Sequence, residues 1–159
     1  MKLDTRVEQA LIEINFVERY ENISKKYNRE RTPKGQELDY FDGDFLMEIV
    51  ELLGYKAQYD KRERFFHIDL EEIGYFRFGF HFALEYGRLE LIWVVYEEDK
   101  VVLGSPWTRY PRLMIARDYI IKQPIISDYV DFRDVMKIAF EMYEDFKQAF
   151  LKANAGDEE

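Results

Sequence analysis

The chain has 159 residues, with 13 Phe, 12 Tyr and 2 Trp, no cysteine, and 32 Asp and Glu against 23 Lys and Arg, for a formal charge of −9. The lack of cysteine excludes a disulfide framework, thiolate metal sites and cysteine nucleophiles, and it fits a reducing compartment. The acidic balance repels nucleic acid and anionic lipid and would steer a basic partner toward the chain.

Length predicts a single domain over residues 1 to 159 with a core built from large aromatic side chains. In the opening MKLDTRVEQALIE, Asp4, Arg6 and Glu8 interrupt the apolar run that a secretory signal needs. The longest unbroken apolar run, residues 91 to 96, is far short of the roughly 20 residues that span a bilayer. The expectation is a cytoplasmic protein with no membrane contact.

From residue 2 to about 28, Leu3, Val7, Ala10, Leu11, Ile14 and Val17 recur at helical spacing, and Phe16, Tyr20, Ile23 and Tyr27 form a second stripe. Two stripes predict one long helix that touches two neighbours. The following RERTPKGQELDY, with Pro33 and Gly35, reads as a mobile loop. Asp42 or Asp44 caps a short helix over residues 42 to 53, ended by Gly54.

After Gly54 the period changes to two, and residues 55 to 104 read as an antiparallel sheet. In YFRFGFHFAL, Phe76, Phe78, Phe80, Phe82 and Leu84 share one face, and Tyr75, Arg77, Gly79, His81 and Ala83 share the other. A Tyr86-Gly87 turn then pairs Leu84 with Leu89, Phe82 with Leu91, Phe80 with Trp93, Phe78 with Val95 and Glu85 with Arg88. For the preceding hairpin, a loop ending in left-handed Gly74 pairs Leu70 with Phe76, Ile68 with Phe78 and Phe66 with Phe80, and sets Asp69 opposite Arg77. A fourth strand follows at residues 101 to 104. Helices are predicted over 110 to 122 and 131 to 153, and the terminal Asp157, Glu158 and Glu159 read as a solvated tail. The fold class is therefore α+β, a four-stranded antiparallel meander with the helices before and after it packed on the phenylalanine face.

His67 and His81, the only histidines, become diagonal neighbours on the opposite face, with Glu90 diagonal to His81. Two imidazoles and a carboxylate are a conceivable zinc or acid–base set. With no third nitrogen ligand and no HExxH, GxSxG, Walker or GxGxxG motif, half-exposed strand histidines are the simpler account. No cofactor, no tight metal and no enzymatic activity is expected. The carboxylate pairs Glu71-Glu72 and Glu97-Glu98 read as surface, and Lys25, Lys26, Arg29, Arg31 and Lys34 as a solvated helix terminus.

The remaining face mixes Tyr75, Arg77, His81, Glu90, Tyr96 and His67 with Phe65, Ile92 and Val94, a make-up nearer to a protein interface than to plain solvent-facing sheet. In composition and layout the chain resembles the bacterial immunity proteins that neutralise polymorphic or contact-dependent toxins. The resemblance implies a stoichiometric binder whose acidic surface covers a basic toxin, with those six residues in the contact. A small-molecule-binding or regulatory domain with an aromatic-lined pocket between sheet and helices is the alternative.

Overall fold

The computed structural model describes residues 2 to 158, with side chains through residue 156. Among the described residues there are five helices and six strands, in the order α1 (Thr5–Glu13), α2 (Phe16–Lys26), α3 (Gly43–Leu52), β1 (Ala57–Asp60), β2 (Phe65–Ile68), β3 (Glu71–Ile73), β4 (Phe76–Glu85), β5 (Arg88–Glu97), β6 (Lys100–Leu103), α4 (Arg109–Met114) and α5 (Tyr129–Glu158). The class is α+β, with one antiparallel sheet ordered β1-β2-β4-β5-β6 and β3 also paired to β4. Six strands replace the expected four. β1 is an edge strand of mixed polarity that shows no alternation, and β3 is separated from β2 by an irregularity in one continuous run along β4.

The amino-terminal segment is two helices rather than one over residues 2 to 28. Asn15 adopts φ 60 and ends the first helix, a left-handed conformation that Asn tolerates better than most residues. Each predicted stripe thereby acquires its own partner. α1 packs along α5, while Phe16 and Tyr20 of α2 meet Trp107 at ring distances of 5.1 and 5.2 Å, and Phe16 meets Trp93 at 5.6 Å.

Segment 29 to 40, expected to be mobile, is tied down on several sides. Arg31 makes a bidentate ion pair with the buried Asp131 carboxylate at 2.8 Å, and Arg29 pairs with Glu37 at 3.0 Å. The Leu38 amide donates to Ile126 O at 2.7 Å. So two members of the basic cluster assigned to solvent are structural.

The β4–β5 register is the expected one throughout, from Phe78↔Val95 to Glu85↔Arg88. Its turn places Tyr86 at φ 53 and Gly87 at φ 75, the paired positive values of a type I′ hairpin. The preceding hairpin differs. Ile73 pairs with Phe76 across Gly74-Tyr75, Glu71 with Phe78 and Glu72 with Arg77, whereas Phe66 pairs with Phe82 and His67 with His81. The two registers differ by one residue, so the chain takes up an extra residue between Ile68 and Glu71, and parity reverses there. Leu70 leaves the phenylalanine face, and Glu71 turns onto it to reach Lys147 of α5. Asp69 is not opposite Arg77; it accepts from Gln58 Nε2 at 3.3 Å.

Every helix contacts the phenylalanine face. Arg6 of α1 lies over Phe76, Phe16 of α2 and Tyr110 of α4 touch Trp93, Gly43 of α3 abuts Phe66, and Phe140 and Phe150 of α5 meet Phe80 and Phe78. Phe78, Phe80, Phe82 and Trp93 are all fully buried. The predicted helix over 110 to 122 is only the six residues of α4. Beyond it the chain runs extended, because its isoleucines and Pro124 close the free edge of β5: Leu89 N donates to Pro124 O and Ile126 N to Gly87 O. α5 starts two residues before the predicted 131 and its backbone continues to Glu158. The tail's side chains and Glu159 lie outside the described residues.

Candidate functional site

Because all five helices occupy the phenylalanine face, the other face of the sheet carries none, and strand register alone arranges its side chains. Three of its cross-strand rows carry most of the candidate residues. The first is Glu72–Arg77–Tyr96–Val101. The second is Gly79–Val94, with Leu70 laid over it: a Cβ on Gly79 would sit 2.7 Å from Leu70 Cδ2 and 3.6 Å from Val94 Cβ. The third is Gln58–His67–His81–Ile92.

In the first two rows Leu70, Tyr96 and Val101 form an apolar and aromatic stripe interrupted by the charged pair Glu72 and Arg77, over a buried Val94. Leu70 is 46% exposed, Val101 60% and Tyr75, in the adjoining turn, 72%. Arg77 is fixed above the Tyr96 ring, 5.0 Å from its centroid, and donates to Glu98 O at 3.0 Å. This cation–π contact holds Tyr96 against the sheet.

The third row carries two imidazoles that meet edge-on. His67 and His81 are direct partners rather than diagonal ones, their rings 5.9 Å apart, and Phe65 stacks on His81 at 4.6 Å. Burial pushes His81 down to about 4, with the His67 imidazole adding to the effect and Asp60 opposing it. His81 is thus neutral at neutral pH. Glu90 pairs with Ala83 in the next row and, after burial itself, is the charge that raises the Tyr20 hydroxyl of α2. Among the described residues no group of three or more His, Asp or Glu side chains is placed to hold a metal ion. The sheet therefore brings together Tyr75, Arg77 and Tyr96 in one patch and His67 with His81 in another, and leaves Glu90 at the margin.

Sequence reasoning missed two contributors. Leu70 was assigned to the core, and only the extra residue in β2–β3 turns it outward. The second is the segment from 35 to 55, which holds six carboxylates (Glu37, Asp39, Asp42, Asp44, Glu48, Glu51) and no Lys, Arg or His. Its signal was present in the sequence: two-thirds of the net charge of −9 lies between Lys34 and Lys56. None of the described helices is long and apolar enough to cross a membrane.

No family model matches the chain, and no curated protein or solved structure is significantly similar to it. What defines it is architecture: an antiparallel sheet with one face under helices and the other, among the described residues, free of them, in a strongly acidic α+β chain.

Proposed function

We propose that this chain is a stoichiometric protein-binding inhibitor of the immunity type, which neutralises a basic toxin by docking it on the helix-free face of the sheet. The observation that carries this reading is the stripe of exposed Leu70, Tyr75 and Val101 around the half-buried Tyr96. A contiguous apolar patch is costly to leave in water and marks a surface that is covered in use. Tyrosines supply large contact area at small cost in side-chain entropy. A charge of −9 accelerates encounter with a cationic cleft. The site residues are Tyr75, Arg77, Tyr96 and the His67–His81 pair, with Glu90 at the rim.

The test is to use the tagged chain as bait in its native host, purify what it retains, and mass the reconstituted complex. A 1:1 complex with a basic protein whose toxic activity disappears on binding is the expected result. An acidic partner, or a partner fully active in the complex, would contradict it.

One observation favours the small-molecule reading. A cleft of about 320 Å³ is lined by Phe41, Met47, Tyr59 and Phe66, between α3 and the β1–β2 edge. Native mass spectrometry of protein isolated from its host separates the two readings, since a bound small molecule appears as a discrete added mass.

A further inference from the structure

We infer that the cleft between the start of α3 and the β1–β2 edge is a cation-binding subsite that takes an arginine side chain of the basic partner. Its walls are aromatic, with two rings tilted at similar angles to Phe66. Tyr59 meets Phe66 at 4.7 Å and 54°, and Phe41 meets Phe66 at 6.4 Å and 50°. Phe66 is itself locked by stacking on Phe82 at 5.0 Å. Gly43 lets the backbone approach this ring, where an added Cβ would be 3.4 Å from Phe66 Cζ. Met47 supplies a polarisable apolar wall.

The mouth is negative. Asp42 and Asp44 line the cleft, and neither is in an ion pair among the described residues. Asp42 is held in place as the cap of α3, its Oδ1 accepting from Asp44 N at 3.0 Å, while its own backbone N–H donates to Tyr129 Oη at 3.0 Å. Among the described residues the second oxygen of Asp42 and both of Asp44 accept no hydrogen bond, and both residues line the cleft. An apolar aromatic box with carboxylates at its rim is complementary to a cation carried on an apolar stem. Guanidinium suits it better than ammonium, because the planar group stacks on Tyr and Phe faces while its forked N–H donors engage carboxylates. A neutral guest forgoes the charge attraction of the rim, and an anion is repelled by it.

The identity of the occupant rests on the proposed basic partner, which would reach round the β1 edge from the helix-free face because Tyr59 and Phe66 belong to the phenylalanine face, but the chemistry of the cleft is testable without one. The full chain, labelled with nitrogen-15, is titrated with N-acetyl-arginine amide and, separately, with its neutral isostere N-acetyl-citrulline amide, following the Gly43 and Asp44 amides by NMR. Arginine is expected to bind about fivefold or more tightly than citrulline, the advantage that a cation–π contact of roughly 1 kcal/mol confers. Both Asp44→Asn and Tyr59→Ala should shrink that ratio toward one, and thermal melts of these exposed-site variants verify folding. Equal response to the two probes, or shifts confined to other residues, overturns the cation site. If the arginine probe behaves as expected but a purified basic partner binds Asp44→Asn and Tyr59→Ala as tightly as the parent chain, the assignment of the occupant fails while the inhibitor reading stands.

Discussion

Phe80 is fully buried and touches Trp93, Trp107, Phe140 and Tyr143 at ring distances between 5.2 and 6.3 Å. It joins the sheet to α5 and to the segment after β6. Phe80→Ala should therefore cost about 3 to 5 kcal/mol in denaturant melts, through lost transfer free energy plus the cavity left among rings that cannot collapse inward. A loss below about 1 kcal/mol would show that this position is not a core anchor. His81 gives a pH signature. Its folded value near 4 lies below the roughly 6.5 of an unfolded chain, so between these values the proton goes to the unfolded state. Stability should fall as pH drops from about 6.5 to 4, by about 1 to 2 kcal/mol because solvent reaches the partly exposed ring and screens it, and this contribution should level off below 4. Carboxylates act in a lower window. Burial pulls Asp131 up, but Arg31 and Ser127 outweigh it and hold the carboxyl below its ordinary 3.8, so its contribution is lost only as pH falls through that range. Melts of His81→Gln should lack the upper limb and retain the lower; an unchanged upper limb would place the titration on another group.

At the scale of elements, the extra residue between β2 and β3 decides what each face presents. It was not legible in the sequence, because the alternation from Phe65 to Leu70 is satisfied equally well by an unbroken strand followed by a loop ending in Gly74. The deciding partner is Lys147, almost wholly buried on α5 and bound to Glu71 and Glu144. A helix residue far along the chain thus sets the phase of a strand. The β4–β5 hairpin was legible because its turn residues, alternation and charge pairs all agree. The break at Asn15 and the shortness of α4 were not, since both depend on where α5 and the β5 edge lie. Of the site, the aromatic and imidazole residues were read from alternation, while the outward Leu70 and the aromatic cleft appear only once the sheet is folded. The Lys147 cluster yields an asymmetric expectation. Glu71 and Glu144 are 51% and 47% exposed and can turn to water, whereas the lysine is 5% exposed. Lys147→Met should cost within about 1 kcal/mol, and the double variant Glu71→Gln with Glu144→Gln roughly 3 kcal/mol or more, since it strands a buried ammonium. Urea melts check this, and the reverse order would contradict it.

Over the whole molecule, charge and apolar surface are segregated. Carboxylates concentrate in residues 35 to 55, which run from Glu37 against Gly87 of the β4–β5 turn to α3 beside β1, and the stripe from Leu70 to Val101 crosses β4, β5 and β6. Such a division assigns the arrival of a basic partner to long-range attraction and the lifetime of the complex to short-range contact. The direct measurement is the association and dissociation rate of the purified partner, followed by surface plasmon resonance, as salt is raised from about 0.05 to 0.5 M, where the Debye length falls below roughly 5 Å. Association should slow by about tenfold or more with dissociation little changed, and Tyr75→Ala and Tyr96→Ala should speed dissociation while leaving association near the parent value. An association rate indifferent to salt, or a partner that leaves both tyrosine variants as slowly as the parent chain, would contradict the assignment of this chain as an inhibitor that docks a basic protein on its open sheet.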